Sequence, residues 1–467
     1  MQPKMNDQRF KTNLGSSGKR TLVVGAASFC LLFLTSALPA LATSSQAGDT
    51  PPPPRRSDLD IPFVPDDNGL NKLLGTLDDH GVKPIVQYYG DFLANPVGGL
   101  HPAAAWFQLL YYGVNLDLER LIGWKGGEFT ITGMNTAGSD ISNNVGTAFT
   151  PAEAVCFTGS ALFKMLFTQH LLDDRLQLTI GRASAGAFYA RLPMTGLTVS
   201  GAANGNPISL FYDASGYRQA GRANWMANIK VKPTKDTYVQ TGIFQVSTDR
   251  MNKRWYNGLD FSIRNGDGVL LLSEAGWTPT FAKEEEAPST GKEVIQNNTS
   301  FAGLPGVYQV GGYWQHYPMP TFLGSGSRQD VYGFYAEFQQ MLWRSHMNAD
   351  HNFTIWGGIT YAPQEEIAML PLMVFGGVNW SGLIPGRDKD QLLLDFFIGD
   401  YSRDYSLSYS RQDQGSRTLE TVLEASYIIQ LTRQIQFQPD LQWILQPGGA
   451  HSTPNALILG FQVSFAY

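Results

Sequence analysis

The sequence predicts an all-β chain that forms a transmembrane antiparallel β-barrel of about 16 strands, preceded by a short periplasmic linker and helix. Three observations predict it. Residues 434–445 alternate, with Gln434, Gln436, Gln438, Asp440 and Gln442 polar and Ile435, Phe437, Leu441, Trp443 and Leu445 apolar. From Asn455 the row Leu457, Leu459, Phe461, Val463, Phe465 and Tyr467 opposes Gly460, Gln462, Ser464 and Ala466. A period of two is the pleat of a β-strand. At the other end, Lys19 and Arg20 precede an apolar run from Thr21 to Leu38 and the small-residue pattern Pro39-Ala40-Leu41-Ala42, an export signal cut after Ala42. Beyond it no apolar run reaches the roughly 20 residues that a spanning helix needs. An exported chain with 12% aromatics and 49 glycines then reads as a barrel.

Taken in order, residues 1–42 are the signal peptide, with Cys30 inside it, and 43–82 a periplasmic linker with Pro51 to Pro54 in one run and a helical stripe of Leu70, Leu73, Leu74 and Leu77. The barrel takes 83–467. Its strands are expected at Pro84–Phe92, Leu110–Glu119, Glu128–Thr132, Phe163–Gln169, Leu176–Ile180, Ala223–Lys232, Tyr238–Val246 and Val269–Trp277. The second half supplies Val307–Tyr313, Tyr332–Leu342, Phe353–Tyr361, Leu372–Trp380, Leu392–Ile398, Leu419–Ile429 and the two terminal strands. Sixteen is even, as single-chain bacterial barrels require. The connections Leu171–Arg175 and Pro233–Asp236 are short enough for tight periplasmic turns, whereas Ser184–Arg222 and Phe281–Gly306 read as long outer loops.

Without the signal, 29 basic and 39 acidic residues leave a net charge of −10, with no basic arm for nucleic acid. Cys156 is then the sole cysteine, so no internal disulfide forms. A soluble sandwich would accommodate one dyad strand, but 16 of them would need an unusually large dry core. Enzymatic motifs are missing: there is no Gly-x-Ser-x-Gly elbow and no His-Glu-x-x-His helix. His346 and His351, beside Asn348 and Asp350, read as an incidental loop, and neither metal nor cofactor is expected.

Parity assigns the wet face. In Leu110–Glu119 the row Leu110, Tyr112, Val114, Leu116 and Leu118 faces lipid, and Tyr111, Gly113, Asn115, Asp117 and Glu119 face the lumen. The same rule puts Lys164, Glu337, Gln339, Glu420, Glu424, Gln438, Asp440 and Gln442 on the lumen wall, with Tyr111, Tyr313, Tyr335 and Trp356 as apolar ring faces. An inward carboxylate is more often a paired wall charge than a solute ligand. Arg182 falls in register with Leu176, Leu178 and Ile180 and would face lipid unless a bulge or the end of the apolar band intervenes.

Several motifs resemble one family. They are Leu116-Asp117-Leu118-Glu119-Arg120-Leu121-Ile122-Gly123-Trp124-Lys125-Gly126-Gly127, Gly382-Leu383-Ile384-Pro385-Gly386-Arg387 with Asp390, Glu420-Thr421-Val422-Leu423-Glu424, Gln438-Pro439-Asp440-Leu441-Gln442-Trp443 and Gln446-Pro447-Gly448-Gly449. Over residues 68–467 the chain resembles the carbohydrate-selective porins of Gram-negative bacteria, the OprB family. It departs at Tyr467, where phenylalanine is usual, and along Ser184–Arg222, which is only loosely similar. The resemblance implies an outer-membrane pore for passive diffusion of small sugars, such as glucose, rather than an enzyme. A general, non-selective porin is the alternative, and an outer-membrane enzyme a weaker one. Partners expected are small sugars, outer-membrane lipid and the barrel-assembly machinery, reached through the strand ending at Tyr467; monomer and oligomer stay open. The carboxylate-rich lumen is expected to disfavour anions. Arg387 and Asp390 are expected at a rim, as a turn-stabilising ion pair or, alternatively, in the constriction.

Overall fold

The alternating rows become a ladder that has no free edge. The structure, a computed structural model, describes residues 75–152, 158–217, 223–247, 257–282, 303–412 and 415–466. The signal, the Pro-rich linker, Leu70, Leu73, Leu74, Cys156 and Tyr467 lie outside the described residues. The barrel strands are β1 Val82–Val97, β2 Ala103–Asp117, β3 Gly127–Gly138, β4 Gly159–Leu171, β5 Leu176–Ala183, β6 Asn224–Thr234, β7 Thr237–Val246 and β8 Gly268–Trp277. They continue as β9 Leu304–Pro320, β10 Ser327–Arg344, β11 Asn352–Tyr361, β12 Leu372–Ser381, β13 Gln391–Asp400, β14 Leu419–Gln430, β15 Ile435–Leu445 and β16 Ala456–Ala466. Each pairs antiparallel with its neighbours in sequence, and β1 closes onto β16, from Gln87 opposite Ala466 to Val97 opposite Leu457. A two-residue piece, Thr280–Phe281, pairs with the start of β9. Closure satisfies every edge, which lipid demands because it offers backbone groups no hydrogen bond. All 16 expected strands are present.

The outward rows follow the expected parity. Leu178, Ile180, Ile229, Val239, Ile243, Phe334, Ile359, Val374, Leu394, Phe396, Leu423, Leu441 and Leu459 are exposed on the outside. Rings band this surface: Trp277 stacks on Tyr308 with centroids 5.4 Å apart, Tyr308 on Phe338 at 6.5 Å, and Phe353 meets Trp380 edge-on at 5.7 Å. Such a belt suits the boundary between hydrocarbon and headgroups.

Most strands run past their expected bounds, β2 from Ala103, β3 to Gly138 and β9 to Pro320, and two connections differ in kind. Strand β2 stops at Asp117, and the next residues form a short helix, α1 Leu118–Ile122, because the Asp117 carboxylate caps it, accepting from the Glu119 and Arg120 amides at 3.0 and 3.2 Å. Glu119 therefore leaves the lumen row for α1, where it accepts from the Gly126 amide, and Asp117, the last residue of β2, turns its carboxylate to the helix cap. The Phe281–Gly306 connection is the second correction. Trp277 pairs with Thr237, beside the tight turn into β7, so this long segment joins strands at the turn end of the barrel and not at the loop end; residues 283–302 of it lie outside the described set.

The core is inside the barrel. Segments from the loop end enter the lumen, and their apolar side chains meet inward-facing strand residues in two clusters. One joins Phe149, Leu192, Val199, Ile208 and Leu370 to Phe375, Phe397, Val422, Ile444 and Ile458. The other joins Tyr189, Leu210, Ala214 and Tyr217 to Phe244, Leu270, Leu272, Val331 and Tyr335. Much of the lumen row is thus dry. Arg182 is fully buried although its parity is outward, because the Asn257–Phe261 stretch crosses the outer face: the guanidinium donates to the carbonyls of Ala223 and Gly258 and lies 4.6 Å from the Phe261 ring and 5.5 Å from Trp225.

At the turn end, Leu172, Asp173 and Asp174 take left-handed backbone angles between β4 and β5 (φ 56°, 55° and 63°). Partial burial works against the Asp174 carboxylate, but bonds from Lys232, Gln177 and His170 outweigh it and hold its pKa down at about 2. A depressed carboxylate pKa adds stability that is present above the unfolded value and lost as pH falls through the folded one. The thermal midpoint of the detergent-solubilised barrel should exceed that of Asp174→Asn by a constant margin down to about pH 4 and by a shrinking one toward pH 2. An equal margin at both extremes would contradict this linkage.

Candidate pore and its lining

A segment entering the barrel brings backbone amides with no strand partner, and inward carboxylates receive them. Glu424, 3% exposed, accepts from the amides of Val199 and Ser200 at 2.7 and 3.2 Å. Glu420, fully buried, accepts from the Ala148 amide at 3.1 Å, the Tyr401 hydroxyl at 2.6 Å and the Thr147 hydroxyl. Glu274 on β8 accepts from the Ala190 amide at 3.0 Å, from the hydroxyls of Tyr335 and Tyr238 at 2.7 and 2.8 Å, and from Gln240 at 2.7 Å. Amides do the complementary work: Gln438 donates to the Leu197 carbonyl at 2.8 Å, Gln442 to that of Pro151 at 2.7 Å, and Gln339 accepts from the Met194 amide at 3.2 Å. Asp440 accepts from Gln442 at 2.8 Å, and Glu337 accepts from Gln309.

Five of the sequence-predicted polar residues, Gln339, Glu420, Glu424, Gln438 and Gln442, are therefore committed to holding the inward segments. Tyr313, Tyr335 and Trp356 are 5%, 2% and 2% exposed, so their ring faces lie within packed regions and not along open space. Trp356 donates to Asp395 at 3.2 Å, and Tyr335 lies across Gly311, where an added Cβ would come within 2.3 Å of the ring. Arg387 and Asp390 form a two-pronged ion pair (2.7 and 2.8 Å) in the turn between β12 and β13, and Asp390 also accepts from the Gln430 amide at 3.0 Å.

Open space remains on the other side of the lumen. A cavity of about 420 Å³ is bounded by β1 through Ile85, Gln87 and Tyr89, by β2 through Tyr111, by β3 through Thr130 and Thr132, and by β4 through Phe163 and Lys164. The inward Ser184–Tyr217 segment closes it with Gly186, Ala187, Arg191, Gly196, Asn204 and Gly205. That volume falls in the range of small-molecule sites, roughly 300–1,000 Å³. A β-bulge shapes the wall: Thr132 faces Lys164 while Gly133 faces Leu162, so Phe163 is the extra residue. The bulge turns Phe163 and Lys164, adjacent in sequence, toward the same cavity. Phe163 meets Tyr111 with centroids 4.7 Å apart and planes inclined by 41°, and the Lys164 ammonium lies 4.9 Å from the Phe163 ring. Small residues on the inward segment leave room where side chains would otherwise fill the passage.

The family model for the carbohydrate-selective porins, OprB family, matches residues 101–467. The chain belongs to that family. It is 24% identical to Porin B of Pseudomonas aeruginosa over 415 residues, covering 82% of this chain and 87% of the relative. It is 20% identical to Putative porin QuiX of Acinetobacter baylyi over 383 residues, 76% of this chain and 81% of the relative. The high-pH structure of Pseudomonas putida OprB superposes with a TM-score of 0.74 at 18% identity, covering 85% of this chain and 96% of that one. That likeness is one of fold: a closed 16-strand barrel.

Of the predicted lining residues, Lys164 and Tyr111 border the cavity, while Glu274, Gln240, Arg191 and Asn204 were not singled out by sequence. Glu274 shares its inward row with Leu270 and Leu272, which masks the alternation. Arg191 and Asn204 lie on a long loop, where no period assigns a face. Replacing Glu424 by alanine removes the acceptor of two loop amides, each such bond being worth roughly 0.5–1.5 kcal/mol. In planar bilayers Glu424→Ala should show higher, noisier single-channel conductance than the wild type with an intact barrel, and unchanged conductance would mean that the loop holds its place without this anchor.

Proposed function

We propose that this porin is a passive outer-membrane channel for monosaccharide-sized carbohydrates, exported through cleavage of the signal at residues 1–42, with its turn end in the periplasm. The observation that carries the reading is the cavity between β1–β4 and the inward segment. Moving a sugar requires no covalent step. It requires donors and acceptors that replace the water lost from hydroxyls, and an apolar surface for the ring face. Gln87, Thr130, Thr132 and Asn204 supply the first, and the Tyr111–Phe163 pair the second. Glu424 and Gln438 act one step removed, by fixing the segment that narrows the passage, while Glu420 and Gln442, the latter held by Asp440, fix the neighbouring stretch at residues 147–151.

In this reading the final strand, ending at Tyr467, is the element presented to the barrel-assembly machinery, and the outward apolar band is the lipid contact. The general-porin alternative differs in one measurable respect, because a passage without sugar contacts sorts solutes by size alone. In proteoliposome swelling, glucose and xylose should enter faster than neutral amino acids of similar size, and a trisaccharide should be excluded. Rates ordered only by solute size would return the chain to a general porin.

A further inference from the structure

The charges that face the cavity have the opposite sign to the chain as a whole. Among the residues bordering it, Lys164 and Arg191 are charged and none bears a carboxylate. They come from separate elements, β4 and the inward segment, and among the described residues neither has an ion-pair partner. Both border the same cavity of about 420 Å³. Two like charges brought together in a confined passage without a counter-charge leave an uncompensated positive field, which a bound anion would relieve. Elsewhere on the lumen wall, Glu274, Glu420 and Glu424 are buried and engaged by loop amides and hydroxyls.

Resting on the sugar-pore reading above, we propose that Lys164 and Arg191 form a subsite for the carboxylate of a sugar acid, an aldonate or uronate. The two cations hold the carboxylate, Arg191 through a planar fork that matches two oxygens and Lys164 as a point charge. The remaining hydroxyls meet Gln87, Thr130, Thr132 and Asn204, and the Tyr111–Phe163 rings face the carbon skeleton. This reverses the expectation that the lumen disfavours anions, since the charge that a solute meets is set by the cavity wall and not by the total.

Reconstituted full-length protein in planar bilayers tests it, with gluconate and glucose each titrated as blockers of the chloride current. Gluconate should block at a concentration about tenfold lower than glucose, and that ratio should fall toward one in Lys164→Gln and in Arg191→Gln. Arg191→Lys, which keeps the charge, should restore part of it. Heat-modifiable migration identifies variants that fail to fold; the wild-type ratio still decides the proposal without them. Equal block by the two solutes in the wild type, or a ratio untouched in both glutamine variants, would overturn the subsite while leaving the sugar pore standing. Glucose passing no faster than a size-matched amino acid is the distinct result that removes the sugar reading itself.

Discussion

A backbone amide that enters a membrane barrel must find an acceptor there, and the rest of this structure depends on how that demand is met. Strands satisfy each other around the ring, but a segment that dips into the lumen has no ladder to join. Here carboxylates on the strand walls serve as acceptors, Glu424 for Val199 and Ser200, Glu274 for Ala190, Glu420 for Ala148. Side-chain amides of Gln438 and Gln442 reciprocate by donating to loop carbonyls. Apolar packing of Tyr189, Leu192, Val199, Leu210 and Tyr217 against inward-facing strand residues completes the seating. What began as a wide 16-strand ring becomes a narrow passage.

This division of labour explains why the acidic wall residues are poor guides to the solute. They are numerous, inward and buried, and Glu274, Glu420 and Glu424 direct their lone pairs to loop amides and to hydroxyls of the protein itself. The passage itself is edged by Gln87, two threonines, Asn204, three aromatic rings and two cations. A bulge at Phe163 and small residues at Gly186, Gly196 and Gly205 create its shape. Selectivity in such a channel is a property of a few side chains at one level and is insulated from the composition of the chain.

The strands were legible in the sequence because lipid enforces one face of every strand, and period two survives even where the other face varies. Faces were legible for the same reason: Leu423 out and Glu424 in follow from parity alone. The seating of the inward segment was not. Leu270, Leu272, Val422, Ile444 and Ile458 occupy the row that a water-filled lumen would make polar, and only a segment packed against them accounts for that. Parity also ran one turn too far at Asp117, where a side chain switched from wall position to helix cap. Arg182 shows the converse, an outward position made interior by chain crossing the outer surface.

The central claim is that the Ser184–Tyr217 segment is a fixed part of the barrel interior, held by wall carboxylates. Amide hydrogen exchange on the wild-type protein in detergent measures this directly. Protection of Ala190, Val199 and Ser200 comparable to that of the strand amides of β8 and β14 is the predicted result, and exchange as fast as that of solvent-exposed turns would contradict the account.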